Sequence, residues 1–386
     1  MKSNKISSGA SSIEISGIRK FYNKVVKIEG AISLTLGQPD FPVPSKVKKA
    51  MIEAINENKT AYTSNAGIEE LRAEISKYLK NDFNINYDKD EICITAGGTE
   101  GIIDIFETLV DKGDKVLIPE PAFPAYDSCT KLLGGKVISY GLYGSDFSID
   151  FNELEEKIKD EKPKFMVVSY PSNPTGAVLS KEDNEKLHNI IKNNDIVVVS
   201  DEMYSALCYE DNYYSISQYE DIRDKVIVVS GFSKTFSMTG LRIGYVCACE
   251  NYMDSILKAH QYTTTCAPSI SQYGALEGLR SCSEDVLYMK NEFKKRRDYI
   301  YKRLNDIGIK ASMPKGAFYI FPDISNFGLT SEEFCEKLLN EAKVAIVPGS
   351  AFGKLGEGFA RISYAYSMEE LKECLDRMEK WVGTLK

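Results

Sequence analysis

In the stretch VSGFSKTFSMTGLRIGY, Val229 to Tyr245, Lys234 stands among small, apolar and hydroxyl residues directly after an apolar run. Lysine carries a strongly hydrated charge and normally stays in water. Drawn out of water at the end of a buried strand, its amine deprotonates more readily and becomes a nucleophile toward a carbonyl. KVIVVS before it reads as a buried parallel strand and IGYVCAC after it as another, so Lys234 falls in a loop at the end of a sheet. The same stretch supplies Ser230, Ser233 and Arg242. A lone loop lysine is ordinarily just solvated, so other segments must carry the case.

In an open parallel sheet, ligands bind beyond the carboxyl ends of the strands, and three further ends carry chemistry. EICITAGGTEG runs from a strand through Gly97 and Gly98 into a helix whose first turn holds Thr99 and Glu100. Free backbone N–H groups without Cβ bulk suit a phosphate there, although a tight turn explains the glycines equally well. The spacing matches neither GxxxxGK[ST] nor GxGxxG, so no nucleotide motif is assigned. KFMVVSYPSNPTG presents Asn173 from a double-proline turn, where an asparagine usually serves its own backbone. DIVVVSDEMYS places Asp201 and Glu202 after an uncharged strand, with Tyr204 three residues beyond Asp201. A carboxylate there needs a cation or a protonated ring nitrogen. A phosphate cradle, a buried carboxylate, an asparagine, a tyrosine and an isolated lysine converge on pyridoxal phosphate. The lysine amine bonds the aldehyde, the carboxylate keeps the pyridine nitrogen protonated, and glycines, hydroxyls and Arg242 hold the phosphate.

These residues need a scaffold. Seven short β-branched runs, EICIT, KVLIP, KVISY, KFMVVS, DIVVVS, KVIVVS and IGYVCAC, alternate with amphipathic segments such as IEELRAEISKYLK, where Ile68, Leu71, Ile75, Tyr78 and Leu79 share a face. That alternation predicts an α/β fold with a mostly parallel sheet covered on both faces. After about residue 280 come a long charged helical stretch and the strand-like segments GAFYIFPDI and FARISYA. At 386 residues the chain exceeds one ordinary core. The expected division is an N-terminal arm and part of the small domain in 1–45, a large cofactor-binding domain in 46–280, and a small C-terminal domain in 281–386. The formal net charge of −8 forms no basic stripe, which argues against nucleic acid and anionic membrane surfaces as partners. No apolar run reaches the length of a membrane span, and MKSNKISSGASSIEIS is polar with no apolar signal core, so a cytoplasmic protein is expected. Nine cysteines form no CxxC pair; Cys247 and Cys249, two apart on one apolar strand, are expected to face one side, and all read as reduced packing residues. Only His188 and His260 are available for a histidine-rich metal site or a hydrolase triad, and no metal is expected.

The ordered elements SLTLGQPDFPVP, AYTSNAGIEELR, AGGTEG, PEPAFPAY, SYPSNPTGAVLS, SDEMYS, SGFSKTFSMTGLRIGY, GAFYIFPDI and ARISYA resemble the fold-type I aminotransferases of class I and II over nearly the whole chain. EISGIRKFYN, HQYTTTCAPSISQYGALEG and VPGSAFGKLGEGFARIS are similar to the bacterial branch of aspartate-type and N-acetyl-diaminopimelate aminotransferases. The resemblance implies a large domain with a mostly parallel seven-stranded sheet, a smaller α+β domain, and pyridoxal 5′-phosphate as cofactor. It implies ping-pong transfer of an amino group between an L-amino acid and a 2-oxo acid, with glutamate and 2-oxoglutarate as one pair.

By the same resemblance Lys234 is the lysine that holds the cofactor and moves the substrate proton, and Asp201 is the partner of the ring nitrogen. Asn173 and Tyr204 match the pair on the ring's phenolic oxygen, and Phe123 the aromatic stacked on the ring. Gly98, Thr99, Ser233 and Arg242 match phosphate-binding positions, with Ser230 a further candidate. Arg361 matches the clamp on the substrate α-carboxylate, approached also by the backbone at Gly37 and by Asn173. Tyr62 matches a tyrosine that reaches the phosphate of the partner subunit, which implies a homodimer with shared active sites. Glu100, Gly101 and Leu241 stand where Gln, Ala and Trp are commoner. HQYTTTCAPSISQYGALEGL holds no Arg or Lys, and Thr99 stands where some relatives have Lys. The nearest remaining candidates to meet a distal substrate carboxylate are Arg19 and Lys20 in ISGIRKFYN. The same scaffold also serves carbon–sulfur β-lyases, which need no 2-oxo acid acceptor. A cofactor-bound regulator is the third reading; no helix-turn-helix pattern precedes LGQPDFP.

Overall fold

The computed structural model describes residues 5–26 and 28–385, so the first four residues of the expected N-terminal arm lie outside the described residues. Runs of β-branched residues buried on both faces build the centre. Val226–Gly231 is buried at all six positions, Phe165–Ser169 at all five and Ile92–Thr95 at all four. That is the burial of a sheet covered by helices on both sides, and each fully enclosed valine contributes about 1.5–3 kcal/mol. The order across the sheet is Ile92–Thr95, Gly244–Cys247, Val226–Gly231, Val197–Asp201, Phe165–Ser169, Lys115–Glu120, Lys136–Tyr143 and Ser148–Ile149.

All seven expected runs are strands, with two corrections. The sheet has eight strands, because Ser148–Ile149 adds a two-residue antiparallel edge beside Tyr143 and Leu142. Two residues carry no readable period. Gly244–Cys247 is antiparallel to both neighbours, not parallel. The chain leaves Val226–Gly231 and returns after twelve residues, too short a link for the usual helical crossover between parallel strands. This strand ends at Cys247, so Cys249 does not share its face; it caps the helix Glu250–Thr263. The described structure holds all nine cysteines as free thiols, eight of them buried.

The rest of the chain packs around a second apolar cluster. Tyr319–Ile320 and Val347–Pro348 flank Ala360–Ser363, antiparallel to it on both sides. Ile32–Ser33 pairs in parallel with Val344–Ala345, which ties the N-terminal segment to the C-terminal one. The helix Met368–Val382 starts at a reciprocal cap between Ser367 and Glu370 and buries Leu371, Cys374, Leu375, Met378 and Val382 along one face. The long charged stretch forms the helix Ser283–Asp306. The parallel strands end in Thr95, Ser169, Asp201 and Gly231 at one edge of the sheet, in the register that pairs Ser169 with Asp201 and Asp201 with Val229. That edge faces the second cluster, and the candidate site lies between them.

Candidate active site

A cleft of about 310 Å³ opens at this edge, lined by Gly37, Gly98, Thr99, Phe123, Asn173, Asp201, Tyr204, Ser233, Lys234, Arg242, Arg361 and Arg19. Twelve expected site residues from distant parts of the chain thus converge. Lys234 leaves the short helix Phe232–Thr235 that follows the central strand, and its Nζ donates to the Gly37 carbonyl. The ammonium sits 6.0 Å from the Tyr204 ring centre and 5.8 Å from that of Phe318. Burial, with the Arg361 and Arg242 charges adding to it, lowers the Lys234 amine to about 7. The neutral, nucleophilic form is therefore abundant near neutral pH.

Asp201 ends its strand buried, and burial pushes its carboxyl up. Its hydrogen-bond partners are uncharged: Tyr126 Oη donates to Oδ2 at 2.6 Å and the Met203 N–H to Oδ1 at 3.1 Å. A buried carboxylate facing a cleft with no cation beside it among the described residues suits a protonated ring nitrogen. Glu202, next in sequence, turns the other way and accepts from Ser200, Tyr213, Ser215 and Ser217.

At the phosphate end, the helix Gly98–Leu109 begins at the cleft, with Gly98 and Thr99 of its first turn in the lining. Gly97 has φ +87°, and a Cβ there would lie 2.6 Å from an Arg242 guanidinium nitrogen, so glycine both permits the turn and lets the cation close in. Free amides, Thr99, Ser233 and Arg242 fit the dianionic phosphate of pyridoxal 5′-phosphate. Ser230 does not join them; its hydroxyl donates to the Glu202 carbonyl at 3.0 Å, away from the cleft. Tyr62 is also outside the cleft and is 83% exposed.

The opposite end holds Arg361, 2% exposed, which donates to Asn173 Oδ1 at 2.9 Å and to the Thr35 carbonyl at 2.6 Å. Its Nε has no partner, and the partners of its other nitrogens are uncharged. The guanidinium stacks 4.5 Å from the Tyr319 ring centre and 4.9 Å from that of Phe352. A buried guanidinium with unfilled donors is built for a planar carboxylate. Gly37 allows Tyr319 to approach, since a Cβ there would lie 1.9 Å from the tyrosine oxygen. Arg19, on the helix Gly17–Val25, reaches the cleft mouth, whereas Lys20 pairs with Glu14 outside it.

Among the cleft residues that escaped the sequence reading, Tyr126 and Tyr319 bond directly to expected site residues. Tyr126 anchors Asp201, and Tyr319 hydrogen-bonds Tyr204 through their hydroxyls at 2.8 Å. Tyr126 lies three residues after Phe123 at the start of a helix, a spacing that brings both toward one face and could have flagged it.

Comparison with known proteins places the chain in a family. Residues 29–378 match the profile described as Aminotransferase class I and II. The chain is 46% identical to the probable N-acetyl-LL-diaminopimelate aminotransferase of Bacillus subtilis, covering 97% of this chain and 94% of that one. It is 41% identical to an aspartate aminotransferase of Pyrococcus abyssi, over 95% of each. The solved aromatic aminotransferase of Pyrococcus horikoshii superposes with a TM-score of 0.89 at 38% identity, covering 94% of this chain and 99% of that one. The chain belongs to the class I and II aminotransferases, with the fold-type I architecture. It is an enzyme that transfers amino groups with pyridoxal 5′-phosphate as its cofactor.

Proposed function

We propose that this aminotransferase uses glutamate and 2-oxoglutarate as one pair and takes a broader set of partners than aspartate alone. The observation that carries this is the pairing of a fixed cation with a marginal one: Arg361 is enclosed with a free Nε, while Arg19 is exposed at the mouth on a helix of nine residues. Arg361 grips the α-carboxylate common to all substrates. Arg19, with no carboxylate partner among the described residues, meets a second carboxylate when there is one and leaves room for aromatic, neutral or long diamino-acid side chains when there is none. Relatives named for aspartate, for aromatic amino acids and for N-acetyl-LL-diaminopimelate support a site that tolerates such variety.

When bound, the cofactor's ring accepts the electron pair left at the substrate Cα. Lys234 Nζ would take the proton from that carbon, since its lowered pKa leaves much of the amine neutral near pH 7. Asp201, fixed by Tyr126 and the Met203 N–H, would hold positive charge on the ring nitrogen, and Asn173 and Tyr204 would serve the ring's phenolic oxygen. Phe123 would cover a ring face, and Gly98, Thr99, Ser233 and Arg242, all in the cleft lining, would hold the phosphate.

Arg19→Ala should raise KM about tenfold for glutamate and aspartate and leave neutral amino acids nearly unchanged, because only the former use the second cation. Initial rates for the proteinogenic amino acids with 2-oxoglutarate, on wild type and variant, check this. A strong aspartate preference untouched by Arg19→Ala contradicts it.

The functional unit is a homodimer in which Tyr62 completes the partner's phosphate site; its 83% exposure outside its own cleft supports this. Mixing Lys234→Ala chains with Tyr62→Ala chains then creates one intact site in each hybrid, and about a quarter of wild-type activity should return. No recovery despite subunit exchange refutes the sharing. The chain divides near residues 45 and 280, and the pairing of Ile32–Ser33 with Val344–Ala345 supports counting the N-terminal segment with the small domain. Among the described residues no helix is long and apolar enough to cross a membrane, and nine unpaired thiols support a reducing, cytoplasmic setting.

A further inference from the structure

His260 lies fully buried on the helix Glu250–Thr263, far in sequence from the glycine turn yet packed directly behind it. Its Nδ1 is 2.8 Å from Glu100 Oε1 and 3.1 Å from Asp104 Oδ2, two acids on successive turns of the helix Gly98–Leu109. The other Glu100 oxygen accepts the Ala96 N–H, one residue before Gly97. Glu100 therefore ties the histidine to the turn that faces the phosphate.

Charge balance decides the state of this cluster. Glu100 is 7% exposed and Asp104 and His260 are fully enclosed, and no Lys or Arg pairs with either acid among the described residues. Two enclosed carboxylates without a cation would be strongly destabilising, so the imidazole carries the proton. The hydrogen bonds from Nδ1 to the two acids, with their charges, outweigh burial and push His260 well above the usual histidine range. The His260 and Ala96 hydrogen bonds hold Glu100 low against its burial, while burial, with the Glu100 charge adding to it, pushes Asp104 up. The other titratable groups facing the cluster are Cys93 on the adjacent strand, whose burial near both acids keeps the thiol protonated, and Glu107, which accepts from Thr263 Oγ1 at 3.3 Å. The three side chains thus act as an ion-pair network.

We propose that His260 is a positioning residue for the cofactor phosphate: through Glu100 it holds the Ala96–Gly97–Gly98 turn in the shape that aims the helix amides at the phosphate. This rests on the reading of the cleft as the pyridoxal 5′-phosphate site. Without the imidazolium, Glu100 is a bare buried charge that must protonate or swing toward water, and the Ala96 contact is lost.

The test compares pyridoxal 5′-phosphate with pyridoxal, which lacks the phosphate, in equilibrium titrations of the cofactor-free enzyme. His260→Gln should weaken pyridoxal 5′-phosphate by about tenfold or more and leave pyridoxal within about threefold of wild type. Adding Glu100→Gln to His260→Gln removes the stranded charge but keeps an acceptor for Ala96, and should restore most of the affinity. Equal weakening of both ligands, no weakening of either, or a double variant no better than the single overturns the proposal. If His260→Gln does not fold by circular dichroism, Glu100→Ala gives the second route, since it removes the Ala96 contact directly. It should lose the phosphate ligand selectively, and equal loss of both ligands again overturns the proposal. Failure of wild type itself to bind pyridoxal 5′-phosphate would instead refute the reading of the cleft.

Discussion

Lys234→Ala is expected to lower turnover by at least roughly four orders of magnitude, because one side chain both holds the cofactor and moves the substrate proton. The fold leaves no substitute. Arg242 and Arg361 also reach the cleft, but guanidinium groups stay protonated and do not act as bases. Lys234 is suited to the task because burial and those two arginines bring its amine down to about 7. Single-turnover rates with glutamate, followed by the cofactor's absorbance, check the loss. A variant working near the wild-type rate would remove Lys234 from the mechanism. A thermodynamic signature accompanies the kinetic one. A lysine whose folded pKa lies below its ordinary 10.5 makes the unfolded chain bind more protons between about 7 and 10.5. In that window the stability of the cofactor-free wild type relative to Lys234→Ala should therefore rise with pH.

Asp201→Asn should keep the cofactor but lose roughly a hundred- to a thousandfold in turnover. The amide retains the size of the carboxylate; its Oδ1 can accept the Met203 N–H while its Nδ2 donates to the Tyr126 hydroxyl, so the pocket stays formed. It cannot hold a positive charge on the ring nitrogen, so the ring draws electrons from the substrate carbon less strongly. Binding titrations and single-turnover kinetics separate the two effects. Loss of cofactor with unchanged turnover per bound cofactor would mean that Asp201 serves affinity and not chemistry.

The sequence made the cleft residues legible because each follows a buried strand or a fixed turn, where a polar side chain needs a reason. Lys234, Asp201 and Asn173 stand out that way, and the structure brings all three to one edge of the sheet. Less was legible where geometry depends on partners far along the chain. Ser230 sits in a motif beside Lys234, yet its hydroxyl turns to the Glu202 carbonyl. Asp201 and Glu202 are neighbours in sequence, but one faces the cleft and the other a nest of hydroxyls. Tyr319 is invisible until Gly37 folds against it. The antiparallel strand Gly244–Cys247 reads the same as a parallel one, since burial on both faces gives the same apolar run whichever way the chain travels. His260 looked like an isolated histidine because its two acids lie more than 150 residues away.

The central claim is that Lys234 is the residue that bonds the cofactor, and borohydride reduction of the enzyme loaded with pyridoxal 5′-phosphate tests it most directly. Peptide mapping by mass spectrometry should then find the reduced cofactor on the single lysine of the peptide containing GFSKTFSM. A covalent label on any other lysine, or none in a folded protein incubated with excess cofactor, would contradict the account.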